Sequence, residues 1–423
     1  KVQIIIKLLG FQSIKATAPS VQNIFDTQGF TDPLWHVVSG NKRAWVDLQN
    51  DVTVKDIQLS HQEGFIAVEH LKRYTTLGMA TDQGKNSNVT GLAIMAEMSG
   101  KSVNDVGTTM FRPPYTPISV GSLAGRSRDK NFRPIRLTPS HAWAEENGAI
   151  FIETGQWLRA QYFQRPNENH WRHSVDREVL QTRASVGVCD VSTLGKIDIQ
   201  GKDSTEFINR VYANGFARLP VGKARYGLML REDGLVMDDG TSARLDETHY
   251  IMTTTTANAV GVFRHLEFCR QCLWQNLDVH LISTTESWAQ FAVAGPNSRR
   301  VLRKVVDKEF DLSNEAFPFM ACKELTIFSG VRARLFRISF SGELAYEVAV
   351  PSKYGKSMMA KLMEVGEEFD IVPYGTEALG VMRIEKGHVA GNELNGQTTA
   401  RDLGMVKFVS TKKDSIGAIL SRR

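Results

Sequence analysis

Cysteine is scarce in this chain: Cys189, Cys269, Cys272 and Cys322 are the only four among 423 residues. So few thiols cannot make a disulfide scaffold, and a reducing, cytoplasmic compartment is the expectation. Cys269 and Cys272 form a lone C-x-x-C in a helical context, without a second pair or histidines at metal spacing, so no metal is expected. No apolar run approaches the roughly 18 residues of a membrane span. The opening KVQIIIKLLG is too short for a signal peptide and has no cleavage-like site. The G-x-G-x-x-G fingerprint is absent throughout, so no dinucleotide phosphate cradle is expected from this chain. Gly100, Lys101 and Ser102 mimic the end of a phosphate loop, but Met95 stands where the motif needs glycine, and Gly100 reads as a helix stop. Charge of one sign is lacking too. The 51 basic and 46 acidic residues leave +5, and the basic residues are scattered rather than gathered into a nucleic-acid tail.

What is present is the composition of a globular protein, 42% hydrophobic and 23% charged, with length for two or three domains. Residues 46–125 read as a small helical domain and linker. Thr53 and Asp56 fit a capping box that opens a helix through Leu59 and His61. A second helix is expected from Phe65 to Tyr74 and a third from Val89 to Met98. The loop-like RYTTLGMATDQGKNSN lies between these two, and FRPPYTP (111–117) is a proline-rich linker. From about 138 the pattern becomes α+β. Strands are expected at 196–200, 226–230, 235–245, 249–253, 277–283, 288–294, 323–328, 331–340 and 344–350. Helices are expected after Asp203, near 257–275, and at 352–366 and 376–387. No regular βαβ period appears, which argues against a doubly wound sheet.

Two strands carry carboxylates among apolar residues. In LVMDDGTSARL, alternation puts Met237, Asp239 and Thr241 on one face and Asp238 and Gly240 on the other, so at least one aspartate points inward. A buried carboxylate must be paired or hydrogen-bonded, and an exposed turn-side aspartate is the competing reading. In RISFSGELAYEV, Glu347 lies mid-strand. A carboxylate can accept two parallel N–H bonds from an amidine edge, and equally it can pair with Arg337 or Arg383. Tyr226 and Phe340 read as core aromatics or as ring-stackers.

VGVCDVSTLGKIDIQGKDSTEFINRV, RYGLML, DGLVMDDG, AGPNSRRVL and RISFSGELAYEV occur in order and with similar spacing over about 170–417. Together they resemble the T-protein of the glycine cleavage system. The resemblance implies tetrahydrofolate binding. It places Asp239 beside the reactive N10 as catalytic residue, and Glu347 on the pterin. Phe340 and Tyr226 stand at the family's aromatic positions, with Thr241 on the Asp239 face. Arg383 matches the second arginine of the family's tail-binding helix, and Leu379 stands where the first would be. The run TTTT (253–256) replaces the family's N-A.

WVDLQNDVTVKDI, EHLKRYTTLGMATDQGK, FRPPYTP, NGAIFIETGQWLRAQYF and YGTEALGVMRIEKGH resemble the alpha subunits of heterotetrameric sarcosine oxidases. That resemblance implies three parts. Residues 1–45 would be the residual tail of a dinucleotide-binding domain, 46–125 the helical domain, and 126–423 an aminomethyltransferase-like folate domain, with both ends truncated. It implies beta, gamma and delta subunits as partners, with FAD in a partner subunit and FMN at the subunit interface. NAD would sit only in an N-terminal domain outside this chain. Sarcosine would be demethylated, its one-carbon unit captured as 5,10-methylenetetrahydrofolate, and hydrogen peroxide released. Lys72, Arg73, Thr75, Thr76, Thr81, Gln83 and Lys85 become candidates for the FMN wall, although an ordinary polar loop is the competing reading. A free-standing aminomethyltransferase and a non-catalytic folate-binding assembly subunit are the alternatives.

Overall fold

The computed structural model describes residues 33–38 and 42–422 apart from 114, so the expectation for 1–45 falls almost wholly outside the described residues. The chain divides between Arg128 and Asp129 into two compact units. No helix among the described residues is long and apolar enough to cross a membrane.

The smaller unit pairs two short strands, β1 (Trp45–Asp47) and β2 (Val52–Thr53), ahead of α1 (Val54–Gln62), α2 (Val68–Thr75) and α3 (Asn88–Ser99). The Asp56 carboxylate accepts from the Thr53 N–H at 2.7 Å and the Thr53 hydroxyl at 2.6 Å, which fixes the start of α1 where the sequence put it. Helix α2 begins at Val68 rather than Phe65, because Phe65 and Ile66 turn back through bonds to the Ser60 and Gly64 carbonyls. Gly100 ends α3 at φ +62°, a left-handed stop that glycine adopts without strain. Ile57, Leu71, Leu77, Ile94 and Met95 form the core of this unit.

The larger unit contains three sheets. β3 (Arg136–Leu137), β4 (Ala149–Thr154) and β5 (Trp157–Phe163) form the smallest, in the order β3-β5-β4. The sequence reading assigned no strand here, because Ile150 and Ile152 of β4 face solvent and the polar-out alternation is lost. After α4 (Trp171–Ala184) and β6 (Gly187–Asp190) comes a run of β7 (Gly195–Gln200), α5 (Ser204–Val211), β8 (Lys223–Leu230), β9 (Val236–Asp246), β10 (His249–Thr254), α6 (Ala259–Phe268) and β11 (His280–Ser283). Its strands form a five-stranded antiparallel sheet in the order β11-β7-β10-β9-β8. β12 (Trp288–Ala294), β13 (Cys322–Ile327), β14 (Val331–Phe336), β15 (Ala345–Pro351) and β16 (Val372–Pro373) join β6 in a six-stranded sheet. Its order is β13-β14-β15-β12-β6-β16, parallel only at β6–β16. Helices α7 (Gly355–Gly366) and α8 (Thr376–Lys386) accompany it.

Each large sheet has its own apolar core. Ile197, Ile199, Met229, Tyr250 and Met252 pack on Phe207, Tyr212, Val262 and Leu266 beneath the five-stranded sheet. Phe291, Val293, Leu335, Tyr346 and Val348 build the core of the six-stranded one. The strand periods therefore send Lys196, Asp198, Thr241 and Tyr226 to the other face of the five-stranded sheet. On that side Arg334 of β14 reaches Asp198 at 3.2 Å and stacks on the Trp288 ring at 4.2 Å. This buried pair joins the two sheets by charge.

Candidate functional site

The aspartate pair lies in β9 next to a bulge. Asp239 faces Leu228 and Asp238 faces Met229, but Leu230 faces Val236, so Met237 is the unpaired residue. The alternation argument brought one aspartate inward, and the structure buries both. Both faces of β9 are covered: helices lie under the Asp238 face, and Leu394, Leu403, Met405 and Phe408 pack with Leu228 and Leu230 on the other. Asp238 is 1% exposed and is spent on Thr255, whose N–H and hydroxyl donate to it at 3.1 and 2.7 Å. Asp239 accepts from the Tyr226 hydroxyl at 2.7 Å, and no other side chain among the described residues bonds to this carboxylate. Burial, and secondarily the charge of its neighbour, pushes Asp238 up to about 7. Burial lifts Asp239 to about 6, against the pull of the Tyr226 hydrogen bond and of nearby His388. Tyr226 itself is raised by burial first and by the Asp239 charge second.

Thr241 does not stand alone. Its hydroxyl meets that of Thr253 at 3.0 Å, and its N–H donates to the same Thr253 oxygen. In the threonine run that replaces the family's N-A, Thr255 thus holds Asp238 and Thr253 holds Thr241. Register extends this row, since Lys196 pairs with Thr253 and Thr241 with Tyr226.

Glu347 lies in β15, 7% exposed. Neither Arg337 nor Arg383 pairs with it. Arg337 donates to the Phe317 carbonyl, and Arg383 is tied to Glu393 at 3.0 Å and to the His388 carbonyl at 3.1 Å. The side-chain amide of Gln290 donates to one oxygen of Glu347, and nothing among the described residues donates to the other. Burial raises the Glu347 carboxyl, opposed by the Gln290 bond and by the Lys196 charge.

Phe340 sits in the β14–β15 loop, 36% exposed, and stacks on the His388 ring at 5.6 Å and 19°. The His388 Nδ1 lies 2.9 Å from the Phe340 carbonyl. Arg383 is thus buried, with its Nη1 held by Glu393 and the His388 carbonyl. It clamps the segment that carries His388 onto Phe340. Tyr226, Asp239 and Thr241 come together directly, Phe340 stacks on His388, and Glu347 stands apart beside Gln290. Sequence reasoning noted Thr255 only as part of the TTTT run, and it missed Gln290, Lys196 and His388. Only Lys196 left a signal, since it and Asp198 alternate with Ile197 and Ile199 in an interior strand.

In the smaller unit, Lys72 is turned inward, 2% exposed, with its ammonium on the Met110 carbonyl. Arg73 pairs with Glu69 at 3.7 Å. Lys85 lies 4.0 Å over the Tyr115 ring and donates to the Tyr115 carbonyl at 3.1 Å. Thr75 bonds the Leu71 carbonyl, Thr76 takes a left-handed conformation at φ +62°, and Gln83 accepts from the Arg112 N–H at 2.7 Å. Thr81 is exposed. Lys72 is therefore a structural cation rather than one offered to a ligand. Cys269 is buried and Cys272 exposed, both as free thiols, and no cluster with metal-binding composition occurs among the described residues.

Residues 140–413 match the model of the GCVT N-terminal domain. The chain belongs to the GCVT N-terminal domain family. Ahead of the GCVT domain, residues 41–126 match the sarcosine oxidase A3 domain. The chain is 55% identical over 393 residues to sarcosine oxidase subunit alpha of Rhizobium meliloti (strain 1021), covering 92% of this chain and 40% of that protein. Against the same subunit of Corynebacterium sp. (strain P-1) it is 46% identical over 398 residues, covering 92% of this chain and 41% of that one. The chain thus spans about two-fifths of these relatives. The glycine cleavage system aminomethyltransferase T of Bartonella henselae superimposes with a TM-score of 0.59 at 24% identity, over 68% of this chain and 74% of that one. The expected α+β, T-protein-like fold behind a small helical unit is the fold observed.

Proposed function

We propose that the GCVT domain binds tetrahydrofolate and that the chain is the one-carbon-capturing part of a sarcosine oxidase alpha subunit. The observation that carries this is a pair of buried carboxylates, Asp239 and Glu347, each with acceptor capacity left over. A reduced folate carries both complements: an amidine edge that donates two parallel N–H bonds and an amine whose proton must go somewhere. When bound, it supplies N10 as a weak aryl-amine nucleophile toward an iminium carbon, giving the 5,10-methylene product.

The residues of the chain do the rest. Tyr226 holds the Asp239 carboxylate by its hydroxyl, so the free oxygen is aimed rather than rotating. Raised to about 6, Asp239 is ionised at neutral pH yet basic enough to accept the N10 proton, and it can return that proton to the departing amine. Glu347, backed by Gln290, fixes the pterin. Phe340 stacked on His388 presents a ring wall, and Arg383 positions that wall. Covered faces on both sides of β9 keep water from an iminium that hydrolyses readily.

The iminium would come from sarcosine, oxidised at flavin in partner subunits, with glycine and hydrogen peroxide as co-products. Beta, gamma and delta subunits and a cytoplasmic setting belong to the same reading, as does an arrangement of 1–45, 46–125 and 126–423 as three parts. The A3 match of residues 41–126 favours it over a free-standing aminomethyltransferase. Segment 72–88 is proposed to face FMN at the subunit boundary through Arg73, Thr76, Thr81 and Lys85, with Lys72, Thr75 and Gln83 holding the loop.

The test compares Asp239→Asn with Asp238→Asn for methylenetetrahydrofolate formation. Asp239→Asn should lose about a hundredfold or more while still binding folate. Asp238→Asn, whose carboxylate only braces Thr255, should lose much less. An equal or larger loss at position 238 sinks the assignment, and full capture by Asp239→Asn reduces the chain to a non-catalytic folate-binding subunit.

A further inference from the structure

Lys196 is the most deeply buried cation of the larger unit that the mechanism above leaves unused. It is 2% exposed in β7. Its ammonium donates to the Ser192 carbonyl at 2.9 Å and the Leu194 carbonyl at 3.0 Å, both in the turn from β6 to β7. No carboxylate pairs with it within salt-bridge distance among the described residues. Its backbone pairs with Thr253, which places it at one end of the polar row that runs through Thr241 to Tyr226. The Ser192 hydroxyl oxygen accepts from the Gln290 N–H at 2.9 Å, and the Gln290 side chain donates to Glu347, so the turn that anchors Lys196 is bonded to the partner of Glu347. The Asp190 and Glu347 charges favour the ammonium and that of Arg159 opposes it. Asp190 is held by the Ser140 hydroxyl and the Ser192 N–H, and Arg159 donates to the Asp190 carbonyl at 3.2 Å. Asp198, on the same strand face, is committed to Arg334 and His249.

Only Glu347, of the two acidic groups, has an unfilled oxygen. Burial raises its carboxyl, against the Gln290 bond and the Lys196 charge, and a neutral carboxyl cannot accept two N–H bonds in parallel. We propose that Lys196 is a positioning residue of the folate site: its ammonium, anchored on the Ser192 and Leu194 carbonyls, is the counter-charge that lets Glu347 meet the pterin amidine edge as a carboxylate. This rests on the folate assignment of the previous section. A purely structural lysine would cap the two carbonyls and do no more. The two roles separate on pH, because burial brings the Lys196 ammonium down to about 8. Below that pH the counter-charge is present, and above it the counter-charge is lost.

The probe is 5-formyltetrahydrofolate, titrated by calorimetry against the full chain between pH 6 and 9. Wild type should bind with constant affinity up to about pH 7 and weaken as pH rises through about 8. Lys196→Met, which keeps the aliphatic length, should bind about tenfold more weakly at pH 7, the scale of one charge-assisted contact, and should show no further loss above pH 8. Lys196→Arg should recover part of the affinity and hold it to pH 9, since guanidinium does not titrate there. Wild-type affinity that stays flat to pH 9 overturns the proposal without any variant. So does a folded Lys196→Met protein that binds like wild type or keeps the wild-type pH profile. No binding by wild type at any pH removes the folate assignment itself, and this proposal with it.

Discussion

At the scale of single residues, the aspartate pair couples the site to the stability of the fold. Both carboxyls titrate above their ordinary range, at about 7 for Asp238 and about 6 for Asp239, because burial disfavours the charged form. The folded state therefore holds these protons more tightly than the unfolded one. Their contribution is fully present near pH 3–4 and is lost as pH rises through about 6 to 7. Replacing both by Asn removes that loss. The double variant should gain on wild type by on the order of 5–7 kcal/mol in unfolding free energy between pH 4 and pH 8. Urea titrations at the two pH values measure it, and a constant offset between the proteins would contradict it. The carboxylates themselves were legible in the sequence, Asp239 and Glu347 by position within ordered motifs. Their partners were not, because Gln290, Lys196 and Thr255 reach them across strand pairings and between sheets that no local period encodes. Arg383 shows the opposite case. Its place in a motif suggested a ligand contact, and only the fold reveals that Glu393, ten positions on, accepts from its Nη1.

At the scale of elements, β9 depends on having no side chain at one point. A Cβ on Gly240 would sit 2.0 Å from the Thr253 carbonyl oxygen of β10, a backbone atom that cannot move without shifting the strand. Gly240→Ala should cost roughly 1–3 kcal/mol of stability by overpacking. It should also weaken folate binding, because Asp239 and Thr241 flank it. Thermal melts read alongside folate titration test this, and unchanged values in both would mean that β10 yields freely. Most strand positions of this sheet were readable from alternation. The bulge at Met237 was not. It inserts one residue without disturbing the apolar pattern, and the segment that covers the Asp239 face lies more than 150 residues further along the chain. The β3-β5-β4 sheet was missed for a simpler reason: its isoleucines face outward, where alternation predicts polar residues.

At the scale of the whole molecule, the candidate site lies entirely within residues 129–423, and the proposed flavin-facing loop within the other unit. The two functions should therefore be separable by mutation. Arg73→Ala with Lys85→Ala, co-expressed with flavin-bearing subunits, should lower FMN content at least severalfold while leaving folate affinity and FAD content unchanged. An assembled complex with full FMN would make 72–88 a connector only. Within the larger unit the site is divided again. Asp239 and Tyr226 belong to a sheet with its own apolar core, Glu347 and Gln290 to another, and these cores are separate bodies of side chains. Joined by the Arg334–Asp198 pair, two such bodies can still open with different local free energies, each amide exchanging with solvent at the rate of its own local unfolding. A ring held at one edge by Glu347 and near its reactive nitrogen by Asp239 ties one sheet to the other. Occupancy would then merge two cooperative units into one, and the slowest-exchanging amides of both sheets would share a single opening free energy only while the ligand is bound.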